Sequence, residues 1–361
     1  MSTMTQPQPQ PNVSEIPHDA GVSWGPVIWI AVLHFGALLA FNPNYFTWTA
    51  LALCVVLHWV TGGIGICLTY HRLLTHRSFQ TRPKFLEYVL TAIGCCAAEG
   101  GPIGWVADHR RHHAHSDEEG DTHSPNRGFG WAHMFWWMTP DINSHHTPEY
   151  LKRWAPDLMK DRVLVWMDKW HLIFPIGLGV LLYQLGGMPW LVWACFVRTI
   201  LVLHATWLVN SATHVWGYRN YATRDHSTNL WWVALITYGE GWHNNHHAFQ
   251  TSARHGIRWW EIDMTYMMIR TMQALGLAYS VKHPKEMKAL PQRLESAAEA
   301  RAKKAAAAAA SAVAANAANV ANAASAVAAN AATAASVAAA NVATAVASSS
   351  SAIVSAPATG S

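Results

Sequence analysis

The chain is patterned in long apolar runs separated by short polar ones, a layout that a water-soluble helix or strand does not need. Residues 24–41 and 48–70 are almost continuously apolar, as are 172–185 and 190–209. A bilayer core takes roughly 20 such residues as a helix, so each run is read as a transmembrane span, the third drawing on its flanks. Only a few residues join the first run to the second and the third to the fourth, at 42–45 and 186–189. The spans therefore pair as two hairpins. A further apolar stretch, 85–106, is interrupted by Glu99-Gly-Gly-Pro102 and suits an interfacial or re-entrant helix better than a fifth span. Residues 149–170 mix Trp and Leu with charges, as an amphipathic helix lying along a membrane surface would. Residues 116–148 read as a structured loop and 229–238 as another short apolar segment. The fold class expected is all-α integral membrane, four spans in two hairpins under a helical cap.

Composition agrees with this reading and orients it. The 361 residues are 51% hydrophobic and 13% charged, against about a quarter charged in soluble domains. Of the 25 basic residues, 24 fall in 72–169 or 219–304, and neither hairpin tip has one. Both basic blocks follow an even number of spans, so the positive-inside rule places the cap and both termini in the cytoplasm. The net charge of +4 belongs to this membrane-facing surface. No arginine-rich strip or alternation of basic and aromatic residues points to nucleic acid. Residues 1–23 form a polar Gln/Pro/Ser tail without the basic start of a signal peptide. The five cysteines all sit in apolar stretches and make no CxxC, so neither a disulfide framework nor a cysteine metal site is indicated. Residues 24–295 make up the membrane domain. From 296 to 361 the chain is Ala-rich and low in complexity, repeats SAVAAN at Ser311 and Ser325, and reads as a weak helix or disordered tail without chemistry.

The chemistry lies in three histidine clusters, each beside an apolar segment: His71-Arg-Leu-Leu-Thr-His76, His109-Arg-Arg-His112-His113 and His243-Asn-Asn-His246-His247. Imidazole is the commonest neutral nitrogen ligand of transition metals. In the second and third clusters the i, i+3, i+4 spacing puts three rings on one helical face. Solvated surface histidines are the bland alternative, and two copies of HxxHH with an HxxxxH argue against it. Asn210 and His214 share a face at the end of the fourth span, and His71 ends the second. Two spans thus carry ligands out of the bilayer towards two HxxHH helices. A metal transporter or sensor would also use histidines, but transporters place ligands at mid-membrane, whereas these clusters lie beyond the span ends.

With Leu201-Val-Leu-His-Ala-Thr-Trp-Leu-Val-Asn-Ser-Ala-Thr-His214 and Gly239-Glu-Gly-Trp-His-Asn-Asn-His-His247, the chain resembles the integral-membrane fatty acid desaturases, nearest the delta-nine branch that includes stearoyl-CoA desaturase. The resemblance covers roughly residues 24–285. It implies a non-heme di-iron centre with nine histidine ligands, by motif position His71, His76, His109, His112, His113, His214, His243, His246 and His247. Asn210 matches a residue that holds a metal-bound water. It further implies O2 as co-substrate, a bent apolar tunnel for the acyl chain, and a cis double bond as product. The chain shows no flavin, haem or iron–sulfur motif, so electrons come from a separate carrier of ferredoxin or cytochrome b5 type. Hydroxylation by the same centre is the neighbouring alternative, and an inactive relative a remoter one.

The chain departs from many relatives at Glu99, where Gln is common, and at His204, where Asn is common. Arg198 lies inside the fourth span, as a functional charge or as a structural pair. The stretch Met134-Phe-Trp-Trp-Met-Thr-Pro-Asp141 lacks the basic residues with which the acyl-CoA branch meets CoA phosphates. That favours an acyl chain on a glycerolipid over acyl-CoA. His34, His58, His115, His123, His133, His145, His146, His171, His226 and His255 fall outside the clusters and read as structural or solvated, with His115 and His123 as candidates to support the ligands.

Overall fold

The computed structural model describes residues 21–139, 146–284 and 290–353. Most of the expected N-terminal tail, together with Pro140, Asp141 and His145, lies outside them. Helix α1 (Trp24–Leu38) is followed by two short 3-10 turns and then by α2, which starts at Trp48 with Thr47 as its cap; Thr47 Oγ1 accepts from Ala50 N at 3.1 Å. This helix is ordinary through His58, then widens to π geometry over Trp59–Thr75. Gly62, Gly63 and Gly65 ease the change of pitch. Thr69 and Thr75 support it by donating to carbonyls five residues back, Ile64 O and Tyr70 O, at 2.7 and 2.8 Å.

The interrupted stretch becomes α3 (Lys84–Cys95) and α4 (Pro102–His115), separated by the Glu99-Gly-Gly turn. After α5 (Phe129–His133), the expected amphipathic helix proves to be two, α6 (Pro148–Trp154) and α7 (Arg162–Lys169). Pro156 lies between them, and proline neither continues a helix nor lets the preceding residue stay helical. The third and fourth expected spans run as α8 (Ile173–Trp190) and α9 (191–211), turning back at Gly187, whose φ of 62° and ψ of −154° suit glycine alone. Short helices α10 (Trp231–Ile236) and α11 (His243–Ala248) and the longer α12 (Met264–Ala274) complete the cap. Strands β1 (Gln80–Thr81) and β2 (Ala278–Tyr279) pair antiparallel, Gln80 opposite Tyr279, and tie the end of the cap back to its start.

By length and composition Trp24–Phe41, Trp48–Thr75 and Ile173–His214 can cross a membrane, the last holding two spans about the Gly187 turn. The core under the cap is built where α2, α3 and α4 meet, around Tyr70, Leu73, Leu74, Ile103 and Val106, all at most 1% exposed. The chain divides into two units, Met1–Leu294 and Glu295–Ser361. The described residues of the second lie in helix α13 (Leu290–Ile353), continuous where the composition read as a weak helix or a disordered tail. Alanine has the lowest helix cost of any residue. The 309–344 part of α13 is also long and apolar enough to cross a bilayer, with every side chain there exposed.

Helices α2 and α3 approach through glycine. A Cβ at Gly65 would lie 2.8 Å from Gly94 Cα and 2.9 Å from the Ile93 carbonyl, which is backbone and has no room to yield. Gly65→Val is therefore expected to cost about 1–3 kcal/mol, as overpacking usually does. The check is thermal unfolding in detergent, where the midpoint should fall; an unchanged midpoint would mean that the two helices part freely.

Candidate metal centre

Four elements bring ten predicted residues to one place. The wide end of α2 supplies His71 and His76, α4 supplies His109, His112 and His113, the end of α9 supplies Asn210 and His214, and α11 supplies His243, His246 and His247. Their placement is enforced locally. Asp168 caps the start of α4 by accepting from Ile103 N and Gly104 N at 2.8 and 3.0 Å. Arg110, between two ligand positions of α4, donates to the Leu74 and Thr75 carbonyls at 2.9 and 3.1 Å, which closes the end of α2. Six residues are too few to hold a helix in isolation, so α11 is fixed from its other face. Asn244 Oδ1 accepts from Asn220 N and Tyr221 N, both at 2.8 Å. Asn245 accepts from Asn220 Nδ2 and Asn229 Nδ2 and donates to His255 O and Glu261, at 2.8–3.0 Å. The two asparagines inside HNNHH are the lock that aims its histidines.

The imidazoles form two groups. In each, the ligand nitrogens all lie within 4.8 Å of one another: His71, His76, His109, His113 and His246 in the first, His112, His214, His243 and His247 in the second. In the second group the Nδ1 atoms of His112, His214 and His247 bond to Asp121, Asp117 and Asp225 at 3.0, 3.1 and 2.8 Å. Each Nε2 then carries a lone pair, and the Nε2 atoms of all four rings are buried without a partner. In the first group Nε2 atoms approach in a chain, His71 to His246 at 3.1 Å, His246 to His113 at 2.9 Å and His113 to His109 at 3.0 Å. One proton per ring serves only two of these three contacts. Burial pushes His109, His113, His243 and His246 well below the usual imidazole range and His247 down to about 4. Protonation therefore does not relieve the crowding. Converging, dry lone pairs of this kind fit a bound metal cation in each group.

Carboxylates stand behind the rings as a second layer. Glu240 Oε2 lies 2.8 Å from His71 Nδ1 and 2.9 Å from His255 Nδ1, and its other oxygen accepts from Arg72 Nε at 3.0 Å. Burial alone would raise Glu240, but Arg72, His71 and His255 hold it well below the usual carboxylate range. Arg72 is fully buried and also bonds Asp263 and the Ala253 carbonyl. Burial opposes ionisation of Asp225 too; the hydrogen bond from His247 holds that carboxyl down. Asp117, Asp121, Asp225 and Glu240 were not singled out in the sequence, although each sits in a polar stretch that borders a cluster. His255, read as structural or solvated, is fully buried with its ring 4.4 Å from that of His246. His123 lies beside Asp121, whereas His115 packs on Trp154 away from the centre.

Two cavities reach the same centre. The larger, about 460 Å³, runs from α1 and the start of α8 to Trp105, His109, Thr206 and Asn210. These four residues also line a smaller one, about 50 Å³, which extends to His58 and Tyr238. Glu99 stands at their junction, accepting from Trp105 Nε1 at 3.1 Å and Thr206 Oγ1 at 2.7 Å, and burial pushes it up to about 7. A third, polar cleft of about 260 Å³ meets His113 and His247 from an exposed rim with Glu118, Arg224 and Gln250. His204 bonds to His34 at 3.0 Å and to His133 at 2.9 Å, outside the metal groups. Arg198 donates to the Ala194 and Cys96 carbonyls and to Thr61, which ties α9 to α2 and to the end of α3.

Comparison with known proteins places this geometry. The chain is 50% identical over 263 residues to the sn-1 stearoyl-lipid 9-desaturase of Anabaena variabilis, covering 72% of this chain and 94% of that one. It is 48% identical over 257 residues to the sn-2 palmitoyl-lipid 9-desaturase of Nostoc sp. (strain 36), covering 70% and 90%. It is also 44% identical over 263 residues to an acyl-CoA C20 Delta5-desaturase of Anemone leveillei, covering 72% and 82%. The family described as fatty acid desaturase matches residues 46–283, and the chain belongs to that family.

Proposed function

We propose that this membrane desaturase inserts a cis double bond at the delta-nine position of a saturated acyl chain carried by a membrane glycerolipid. Nine histidines would hold two irons, with Asn210 beside the four-histidine group positioned to hold a water. The observation that carries the reading is the convergence of nine buried or half-buried imidazoles, in groups of five and four, at the end of two cavities that share His109. Delta-nine and a lipid-linked substrate follow from the two relatives named for that regiochemistry and from the absence of Lys and Arg among the described residues lining the larger cavity. The centre faces the cytoplasm by the charge rule, and a ferredoxin or cytochrome b5 type protein supplies its electrons.

Irons held by the two histidine groups would supply, with O2, two electrons and two protons, the oxidising power to take two hydrogens from an unactivated CH2–CH2 pair, O2 leaving as two waters. The chain's own part is position. Trp105, Glu99 and Thr206 form a hydrogen-bonded junction that fixes where the acyl chain turns past His109. A CH2–CH2 pair held there is presented repeatedly in one geometry, and such proximity is worth orders of magnitude in rate. The apolar cavity excludes water from the reacting carbons. The polar cleft at His113 and His247 gives protons a way in and water a way out on the opposite side.

His109→Ala and His243→Ala each remove one donor, from the five- and the four-histidine group. Both are expected to abolish the new monoene in a host's fatty acid profile by gas chromatography with mass spectrometry, and to lower iron per chain. Activity retained in both would overturn the metal assignment, and a hydroxylated product in the unsubstituted chain would redirect the reading. Asn245→Leu removes no donor to metal but leaves buried polar partners unmet, at a cost of about 1–3 kcal/mol each. Iron retention during dialysis should fall while backbone circular dichroism is kept. Truncation after about Ser296 should leave turnover intact in purified enzyme, since the residues assigned to the site all precede it; a dead truncation would give α13 a role in catalysis.

A further inference from the structure

We propose that the acyl chain reaches the metal centre sideways from the bilayer, through a gap between the first two turns of α1 and the start of α8. The inference rests on the acyl-lipid reading and adds the route. Ile28 and Val32 line the large cavity, yet they are 59% and 49% exposed. Four residues apart, they lie on the same face of α1 as Trp24 and Phe35, which are exposed and do not border the cavity. A face of a membrane helix that is open along its length meets lipid. The cavity wall is thus incomplete on the lipid side. Across the gap, Leu172 lines the same cavity and is 44% exposed, with Ile173 and Ile176 exposed beside it.

The inner face of α1 is closed elsewhere. It packs Ile30 and Leu33 with Leu203 and Trp207. Further along, a Cβ at Gly36 would lie 2.6 Å from the Phe196 ring, so α1 is pressed onto α9 there. At the other end Ser23 N donates to Met138 O at 2.9 Å and ties the start of α1 to the cap. The helix is held at both ends and open between them. Trp24 and Trp170 are exposed near the two edges of the opening, as aromatic residues at a membrane interface are. Charge agrees with this route. The acidic side chains on the cavity wall are Glu99 and Asp108, and no Lys or Arg lines it among the described residues. A polyanionic carrier gains nothing at such a mouth, whereas an acyl chain slides in and leaves its head group at the surface.

The test uses the full-length, iron-loaded chain in nanodiscs containing a saturated diacyl phosphatidylglycerol, with reductant and electron carrier supplied. Ile28→Trp with Val32→Trp should close the gap. The expected result is at least about a tenfold loss of initial rate on the glycerolipid, and loss of tightly held lipid in native mass spectrometry, with iron content and absorption spectrum unchanged. Val55→Trp, equally lipid-exposed on α2 but away from the cavities, should change neither. Ile28→Ala with Val32→Ala widens the gap and should keep or raise the rate. A tryptophan pair that retains lipid and turns over within about twofold of the unsubstituted chain overturns the route. So does an alanine pair as impaired as the tryptophan pair, because the side chains would then be holding the fold. If the unsubstituted chain converts the CoA thioester and not the glycerolipid, the acyl-lipid reading itself fails and the route with it, a result distinct from failure of the variants alone.

Discussion

The structure depends on crowding imidazole nitrogens at close range in a place that is largely cut off from water. Neutral rings whose lone pairs point at one another repel, and at His109, His113, His243 and His246 burial disfavours the proton that would turn repulsion into hydrogen bonds. What keeps them together is what stands behind them: Asp121, Asp117 and Asp225 on the Nδ1 atoms of one group and Glu240 beside the other. The three aspartates fix the tautomers of His112, His214 and His247, so the Nε2 atoms that face inward there are the ones able to donate to a metal. The donors themselves carry no charge, and the negative charge is kept one bond further out. The soluble di-iron bundles instead put carboxylates on the metal itself.

A frame of buried polar contacts, rather than apolar packing alone, holds this arrangement still. Arg72 has no exposed surface and donates from Nε to Glu240 and from one terminal nitrogen to Asp263 and a carbonyl. An unpaired charge at such depth would be strongly destabilising, so these partners are obligatory to one another. Arg110 joins the helix that carries His109 to the one that carries His71, while Asn244 and Asn245 fasten the shortest ligand helix to the loops around it. The sequence neighbours of the ligands are the means by which separate elements are aligned. Membrane helices contribute two of the ligand-bearing ends, and the cap contributes the other two.

The span positions, the hairpin turn near Gly187, the interruption after α3 and the histidines that converge were legible in the sequence, because apolar run length and helical spacing are local signals. The break at Pro156 was missed: charge and Trp content suggested one helix over 149–170, and the proline that ends the first helix was passed over. Long-range pairing was not legible either. Asp225 meets His247 across 22 positions and Glu240 meets Arg72 across 168, and no spacing rule reaches that far. His255 looked unremarkable since its partners come from α2 and from the turn before α11. The continuous α13 went beyond its composition, which carries helix propensity and no core.

The wide turns at the end of α2 have a consequence for which chain lengths the site accepts. In an ordinary α-helix His71 and His76 would point about 140° apart. In the π geometry His76 N reaches back to His71 O at 3.2 Å and the two rings lie 4.7 Å apart, in one metal group. The five-residue spacing and the wide pitch therefore require each other. Removing a single residue between Trp59 and Thr75 would rotate His71 away from its partners even if every remaining side chain were kept. Within this helix the count of residues is constrained as well as their identity, so natural variants should hardly ever differ here by insertion or deletion.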